Sequence, residues 1–363
     1  MTLSQLPALP IDEVLADLQQ RLESHSRVIL QAPPGAGKST RVPLALLKAP
    51  WLDQRRIVML EPRRLAARSV ANHMARLLGE SVGQRVGYRM RQESRISAHT
   101  RIEVVTEGIL TRMLQDDPAL ETVGIVIFDE FHERSLHADL GLSLCLDSQA
   151  ALREDLRLLL MSATLDDQNL SRTLGDAPIV TSAGRSYPVN HHLRPMSANW
   201  KTDWRAFYGR VAREVAEITA QTNGSLLVFL PGMAEIRRVE RLLEQSLGHS
   251  GIDVLPLHGQ LSATEQDRAI APCPPQQRKI VLATSIAETS LTIEGVRVVV
   301  DSGLERRPQF DRNSGLNRLQ TQRVSAAAAA QRSGRAGRLE AGECYRLWPE
   351  SQRLQPYREA EIL

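Results

Sequence analysis

Ala32-Pro33-Pro34-Gly35-Ala36-Gly37-Lys38-Ser39-Thr40 follows the apolar run Val28-Ile29-Leu30 and precedes Val42, Leu44, Leu46 and Leu47, which suit the packed side of a helix. The stretch reads as strand, Gly-rich loop, helix. Such a turn points successive backbone N–H groups inward, and the following helix adds its positive N-terminal end, so a triphosphate can be cradled there. Lys38 would reach the β and γ phosphates and the Ser39 hydroxyl would sit on Mg²⁺, with Pro34, Gly35, Ala36, Gly37 and Thr40 completing the cradle. The strict phosphate-loop pattern has Gly where Ala32 stands. A purely structural turn is the competing explanation.

Outward from this loop, strand and helix patterns alternate. Ile11, Val14, Leu15, Leu18 and Leu22 fall at helical spacing ahead of the first strand. After the loop come strand patterns at 57–60, 102–105, 123–128 and 156–161, with helical patterns at 65–78, stopped by Gly79, and at 108–114. The turn residues of 183–189 interrupt the series, which resumes with strands at 226–230, 254–257, 280–283 and 296–300. Strands alternating with helices predict an α/β fold of parallel sheets covered on both faces. The expected division is a first domain at 1–182, a linker at 183–189, a second domain at 190–350 and the start of a further region at 351–363. The segment 302–325, rich in Arg, Gln and Asn around Asn313-Ser314-Gly315, reads as a protruding hairpin or an ordinary solvated loop.

A chain of 363 residues suits two or three domains. With 45 Lys and Arg against 42 Asp and Glu, the net charge of +3 is too balanced to make the whole surface attract polyanions, so a nucleic-acid site must be a local patch. Cys145, Cys273 and Cys344 are isolated, with neither a CxxC pair nor histidines at ligand spacing, which argues against a zinc site or disulfide framework. No signal peptide or membrane span is legible, and a soluble cytoplasmic protein is expected. His191 and His192 read as surface residues, and Trp200 and Trp204 as buried against the second domain.

Two more clusters carry chemistry. Asp129-Glu130-Phe131-His132 directly follows the strand pattern Ile125-Val126-Ile127-Phe128, so its carboxylates project from the end of a parallel strand, where ligands of such sheets bind. Asp129 would hold Mg²⁺ and Glu130 would orient and deprotonate the attacking water. Alone, the pair could equally cap a helix. In Gln331-Arg332-Ser333-Gly334-Arg335-Ala336-Gly337-Arg338, arginines recur every three residues, and Arg335 and Arg338 are candidate arginine fingers for the charge that develops on a transferring phosphoryl group.

With these three elements the sequence resembles superfamily 2 helicases, specifically the DEAH-box family of RNA-dependent ATPases. The remaining signatures stand in order: 60–67 looks like motif Ia, Thr106-Glu107-Gly108 like Ib, Ser162-Ala163-Thr164 like III, 227–232 like IV, and Ala283-Thr284-Ser285-Ile286-Ala287-Glu288-Thr289-Ser290-Leu291-Thr292-Ile293 like V. Phe131 stands where the family name has Ala, which points to the bacterial HrpB-type branch; Ser285 replaces a common Asn and Glu294 an expected Asp.

The resemblance implies two tandem RecA-like domains with ATP between them. Lys38, Ser39, Asp129 and Glu130 would come from the first domain, and Gln331, Arg335 and Arg338 from the second, Gln331 helping to position the lytic water. Ser162, Thr164 and His132 would couple nucleotide state to domain movement. Arg63, Arg64, Thr106, Thr284 and Ser285 match the family's contacts to a nucleic-acid backbone. The implied cofactors are ATP and Mg²⁺. The implied partner is single-stranded nucleic acid, RNA favoured over DNA, with no membrane, a monomeric state and room for a protein activator. Backbone contacts carry no sequence information, so weak base selectivity and strong salt dependence are expected.

Two competitors stand beside this reading. A P-loop phosphotransferase would explain the first loop but nothing at 331–338, and a nucleic-acid-binding scaffold with a vestigial nucleotide site would not need a competent side chain at every matched catalytic position. Family members continue past motif VI into further domains, so a chain ending at Glu361-Ile362-Leu363 is expected to be a helicase core that hydrolyses ATP better than it unwinds.

Overall fold

The structure, a computed structural model, describes residues 7–163, 167–184, 187–196, 199–248, 250–274, 276–288, 293–311, 314–338 and 340–356. The chain forms two compact units, the first running to Arg185 and the second from Ser186 to Glu359.

In the first unit the described strands are β1 (Arg27–Gln31), β2 (Arg56–Glu61), β3 (Val86–Met90), β4 (Glu93–Arg95), β5 (Ile102–Thr106), β6 (Val123–Phe128), β7 (Arg157–Ser162) and β8 (Ile179–Thr181). They form one sheet in the order β4-β3-β5-β2-β6-β7-β1-β8, parallel throughout except for the antiparallel β3–β4 edge. Helices α1 (Leu15–Ser24), α2 (Lys38–Leu46), α3 (Arg64–Leu77), α4 (Glu107–Asp116), α5 (Leu136–Ala151) and α6 (Asp167–Thr173) connect or flank them. Side chains of a strand alternate between faces. Accordingly Val28, Leu30, Ile57 and Met59 enter one core with α1, α2 and α3, while Ile29, Val58 and Leu60 enter a second core with α4 and α5. Continuous apolar strands are the consequence of burial on both faces.

The second unit holds β9 (Val189–Leu193), α7 (Trp204–Gln221), β10 (Ser225–Phe229), α8 (Met233–Leu247), β11 (Asp253–Leu257), α9 (Ala263–Ile270), β12 (Lys279–Ala283), β13 (Val296–Asp301), β14 (Leu304–Asp311), β15 (Leu316–Arg323), α10 (Ala326–Ser333) and β16 (Gly342–Arg346). Its sheet is wholly parallel in the order β11-β12-β10-β13-β16-β9. Strands β14 and β15 leave it as a separate antiparallel hairpin, Leu304 pairing with Arg323 and Asp311 with Leu316.

The structure adds what the sequence patterns missed. Strands β3, β4, β8, β9 and β16 carry no long apolar run, and all five lie at or next to a sheet edge, where one side needs no apolar cover. Strand β9 begins at Val189, inside the stretch expected to be linker. Trp200 packs against the core of the second unit, as expected for a buried tryptophan. Trp204 does not: it is 46% exposed at the start of α7, with the Arg205 and Arg238 guanidinium groups 5.5 and 5.3 Å from its ring. No helix among the described residues is long and apolar enough to cross a membrane.

Candidate nucleotide site

Parallel strands end at the same edge of a sheet. Strands β1 and β6 flank β7, so the loop after β1, the carboxylates after β6 and Ser162 at the end of β7 are neighbours, although they span some 130 residues of chain. Strands β2 and β5 end beside them, which brings Arg63, Arg64 and Thr106 to the same edge: Arg63 is the N-cap position of α3, and Thr106 that of α4.

The loop that follows β1 takes its shape from Gly35 and Gly37, at φ +85° and +95°. Only glycine occupies that region without strain. At Gly37 a Cβ would also lie 2.6 Å from Leu9 Cδ1. The N-terminal segment braces the loop from behind, with Ile11 N–H donating to the Ala36 carbonyl at 3.1 Å. Lys38 begins α2 directly after Gly37 and is buried, Ser39 and Thr40 are half-buried in its first turn, and Pro34 and Gly35 face solvent.

Across the strand ends, Lys38 Nζ donates to Glu130 Oε1 at 2.8 Å, with the two side chains only 4% and 6% exposed. Glu130 adopts φ +50°, a left-handed backbone uncommon for a residue with a side chain and of the kind that clusters at functional sites. Its other oxygen, Oε2, lies 3.4 Å from His132 Nε2. The opposite ring nitrogen, His132 Nδ1, accepts the Ala163 N–H at 3.2 Å, and the Ser162 carbonyl accepts Ala32 N–H at 2.9 Å. One chain of contacts therefore runs from the lysine through the glutamate and histidine to the end of β7 and back to the start of the loop. Thr164, the last of the expected coupling residues, lies outside the described residues.

Asp129 Oδ1 accepts the Glu130 N–H at 2.8 Å, while Oδ2 is buried without a well-formed hydrogen bond. Burial raises the Asp129 pKa above the usual carboxylate value; Glu130 raises it too, and Lys38, Ser39 and Glu61 act against them. A hard divalent cation takes oxygen ligands, and a buried carboxylate oxygen lacking a donor, with the Ser39 hydroxyl near it, fits Mg²⁺. No cluster of three or more His, Cys, Asp or Glu suited to a transition metal exists among the described residues.

The departure at Phe131 has a packing reason. Its ring is buried in the α4–α5 core and meets Phe128 edge-on at 6.0 Å, a centroid distance in the favoured aromatic range. An alanine there would leave that space unfilled.

In the second unit, α10 is capped by Ser325 Oγ, which accepts the Ala328 N–H at 3.1 Å, and its end carries the arginine cluster. Arg332, whose place in the sequence pattern implied no role, is wholly buried and ion-paired to Glu288 at 2.8 Å and Asp301 at 2.7 Å. Arg335 is buried as well, its Nη2 donating to the Glu288 carbonyl, whereas Gln331 and Arg338 are half-buried. Thr284 and Ser285 follow β12 on the short turn Ser285–Ala287, just ahead of Glu288. Residues 289–292 of the motif V stretch lie outside the described residues. Nothing local in the sequence distinguished Arg332 from its neighbours; its partners are 44 and 31 residues away.

Residues 13–173 match the family described as DEAD/DEAH box helicase, and residues 210–340 match the helicase conserved C-terminal domain. The chain belongs to the DEAD/DEAH-box helicases. This helicase-family chain is 52% identical over 360 residues to the ATP-dependent RNA helicase HrpB of Escherichia coli, across 99% of its own length and 44% of that protein. It is 39% identical over 364 residues to the human probable ATP-dependent RNA helicase DHX34, across 98% of its length and 32% of that protein. A crystal structure of the E. coli DEAH/RHA helicase HrpB superposes with a TM-score of 0.91 at 52% identity, over 98% of this chain and 45% of that one. The family chain thus spans less than half the length of these relatives, and its two sheets are the tandem RecA-like domains of the family.

Proposed function

We propose that the chain is the ATP-hydrolysing core of an RNA helicase, coupling turnover to movement along a single strand. The observation that carries this reading is the buried contact between Lys38 Nζ and Glu130 Oε1 at 2.8 Å, because it joins a phosphate-loop cation to a base at the carboxyl edge of a parallel sheet. The name of the E. coli relative, an ATP-dependent RNA helicase, and that of the human one, a probable ATP-dependent RNA helicase, support RNA as the polymer.

In this proposal the loop N–H groups of 34–40 and the Lys38 ammonium bind the triphosphate. Arriving phosphates take the ammonium from Glu130, which then accepts a proton from the attacking water. Ser39 and Asp129 would hold Mg²⁺, which supplies positive charge to the β and γ oxygens when bound. Gln331 orients the water, and Arg335 and Arg338 neutralise charge on the γ phosphate in the transition state. The link from Glu130 through His132 to Ala163 passes the state of the γ phosphate to the end of β7. Arg63, Arg64, Thr106, Thr284 and Ser285 hold the sugar-phosphate backbone.

Phosphate release from Mg-ATP, measured without nucleic acid and with single-stranded RNA or DNA of equal length, tests the proposal, with Glu130→Gln as the blank. Turnover that RNA stimulates and the variant lacks is the expected outcome. Turnover that survives in a folded Glu130→Gln protein would overturn it, and stimulation by DNA alone would reassign the polymer. Stimulation should also weaken steeply with added salt, as counterion release requires.

A further inference from the structure

Four ionisable side chains meet in the interior of the second unit. Arg332, Glu288 and Asp301 are at most 1% exposed, and Arg335 is 5% exposed. Arg332 Nε donates to Glu288 Oε1 at 2.8 Å, while its Nη1 donates to Asp301 Oδ1 at 2.7 Å and to the Leu304 carbonyl at 3.2 Å. The guanidinium stands over the Phe229 ring at 4.9 Å, and Asp301 Oδ1 also accepts the Gly303 N–H at 2.8 Å. Four strand or helix ends, those of β10, β13, β14 and α10, thereby fix one planar cation.

Charge explains why a second arginine belongs there. Arg332 with Glu288 and Asp301 leaves one net negative charge in a dry interior, and a buried charge is costly unless it is compensated. Arg335, buried nearby, adds positive charge, as does the half-buried Arg323, whose charge acts on Asp301, and Arg335 is tied to Glu288, donating from Nη2 to its carbonyl. Glu288 therefore holds Arg332 through its carboxylate and Arg335 through its main chain. Only Ser333 and Gly334 separate the two arginines on the chain, so the Arg332 clamp sets where the end of α10 lies and Glu288 sets where the Arg335 head can reach.

We propose that Glu288, clamped by Arg332, is the positioning residue that registers the Arg335 guanidinium for phosphoryl transfer. This rests on the ATPase reading, and it deepens that reading by separating the arginines of one motif into a buried anchor, Arg332, and an acting group, Arg335. A finger must be placed to within a fraction of an ångström to act on the transition state, and a displacement of about 1 Å can cost about 100-fold in rate. Glu288 needs no contact with nucleotide to control it.

The test is a kinetic cycle on Mg-ATP turnover with wild type, Glu288→Gln, Arg335→Ala and the double variant, run well below each melting temperature. Glutamine keeps the shape and an acceptor for Arg332 but removes the charge. Glu288→Gln is expected to lower kcat about 10- to 100-fold while KM for ATP stays within about twofold, because positioning acts in the transition state. The double variant is then no slower than Arg335→Ala alone. Effects that multiply in the double variant, or an unchanged kcat in Glu288→Gln, would overturn the proposal, as would an Arg335→Ala protein with wild-type turnover. If Glu288→Gln does not fold, Arg332→Lys enters the same cycle with the same expectations, since lysine keeps the charge but cannot span both carboxylates. A wild-type chain that hydrolyses no ATP would fail the functional reading instead, an outcome distinct from all of these.

Discussion

Lys38 Nζ and Glu130 Oε1 lie 2.8 Å apart across the ends of two strands that are not themselves neighbours, and solvent barely reaches either group. The pair does two jobs that pull in different directions. It neutralises two buried charges within the fold, and in the proposed reaction it is the contact that an arriving phosphate breaks.

Removing one partner should therefore cost stability as well as activity. Lys38→Ala leaves the Glu130 carboxylate buried without its ammonium, and losing one side of a buried pair costs about 3–5 kcal/mol. Denaturant unfolding should show much of that loss recovered in Lys38→Met/Glu130→Gln, where both charges are gone. In turnover assays Glu130→Gln alone should fall by about 10²- to 10⁴-fold, the usual contribution of a positioned base.

Asp129 should behave as a residue kept for function at the expense of stability. Burial makes its carboxyl harder to ionise in the folded than in the unfolded chain. Ionisation at neutral pH therefore opposes folding: the penalty is absent below the unfolded value of about 3.9, grows as pH rises above it, and is complete above the raised folded pKa. Asp129→Asn is expected to raise Tm by a few degrees at pH 7 in Mg²⁺-free buffer, to lose that advantage as the pH falls towards the unfolded value, and to lose ATP turnover throughout. Melting curves across pH, compared with the wild type, check the sign.

Phe131→Ala converts this position to the family's usual residue and should still be harmful. The ring is buried against Phe128 and the α4–α5 core. Truncating a buried phenylalanine costs about 3–5 kcal/mol through lost transfer and the cavity left behind. Urea unfolding would report the loss, and a variant as stable as wild type would show that the core can close around the gap.

Gly37→Ala should weaken nucleotide binding. The φ of +95° costs an L-residue about 1–2 kcal/mol, and the new methyl would press on Leu9 Cδ1 at 2.6 Å. Leu9 can move, but the loop's N–H groups then lose their common aim. A several-fold rise in the KM for ATP, with a lower Tm, is the expected result.

The motifs were legible because each is a local pattern of sequence. A Gly-rich turn between strand and helix, or two carboxylates after a buried strand, can be recognised from a dozen neighbouring residues. Continuous apolar runs likewise marked β2, β5, β6, β7, β10, β12 and β13, each buried on both faces. The edge strands β4, β8 and β9 escaped notice for the same reason: Val189-Asn190-His191-His192-Leu193 is mostly solvated and carries no burial signal, and its pairing with β16 is made some 150 residues later.

By itself the sequence determined the alternation of strands and helices, the phosphate loop, the Asp129-Glu130 pair and the candidate arginines. Only the tertiary structure decided which of these groups meet. That His132 joins Glu130 to the Ala163 backbone, or that Arg332 is ion-paired to Glu288 and Asp301 while Arg335 donates to the Glu288 carbonyl, follows from strand order and from the need to compensate charge inside a dry core. Backbone geometry is set between neighbours in the chain. Electrostatic compensation is set between neighbours in space, and no local pattern records it.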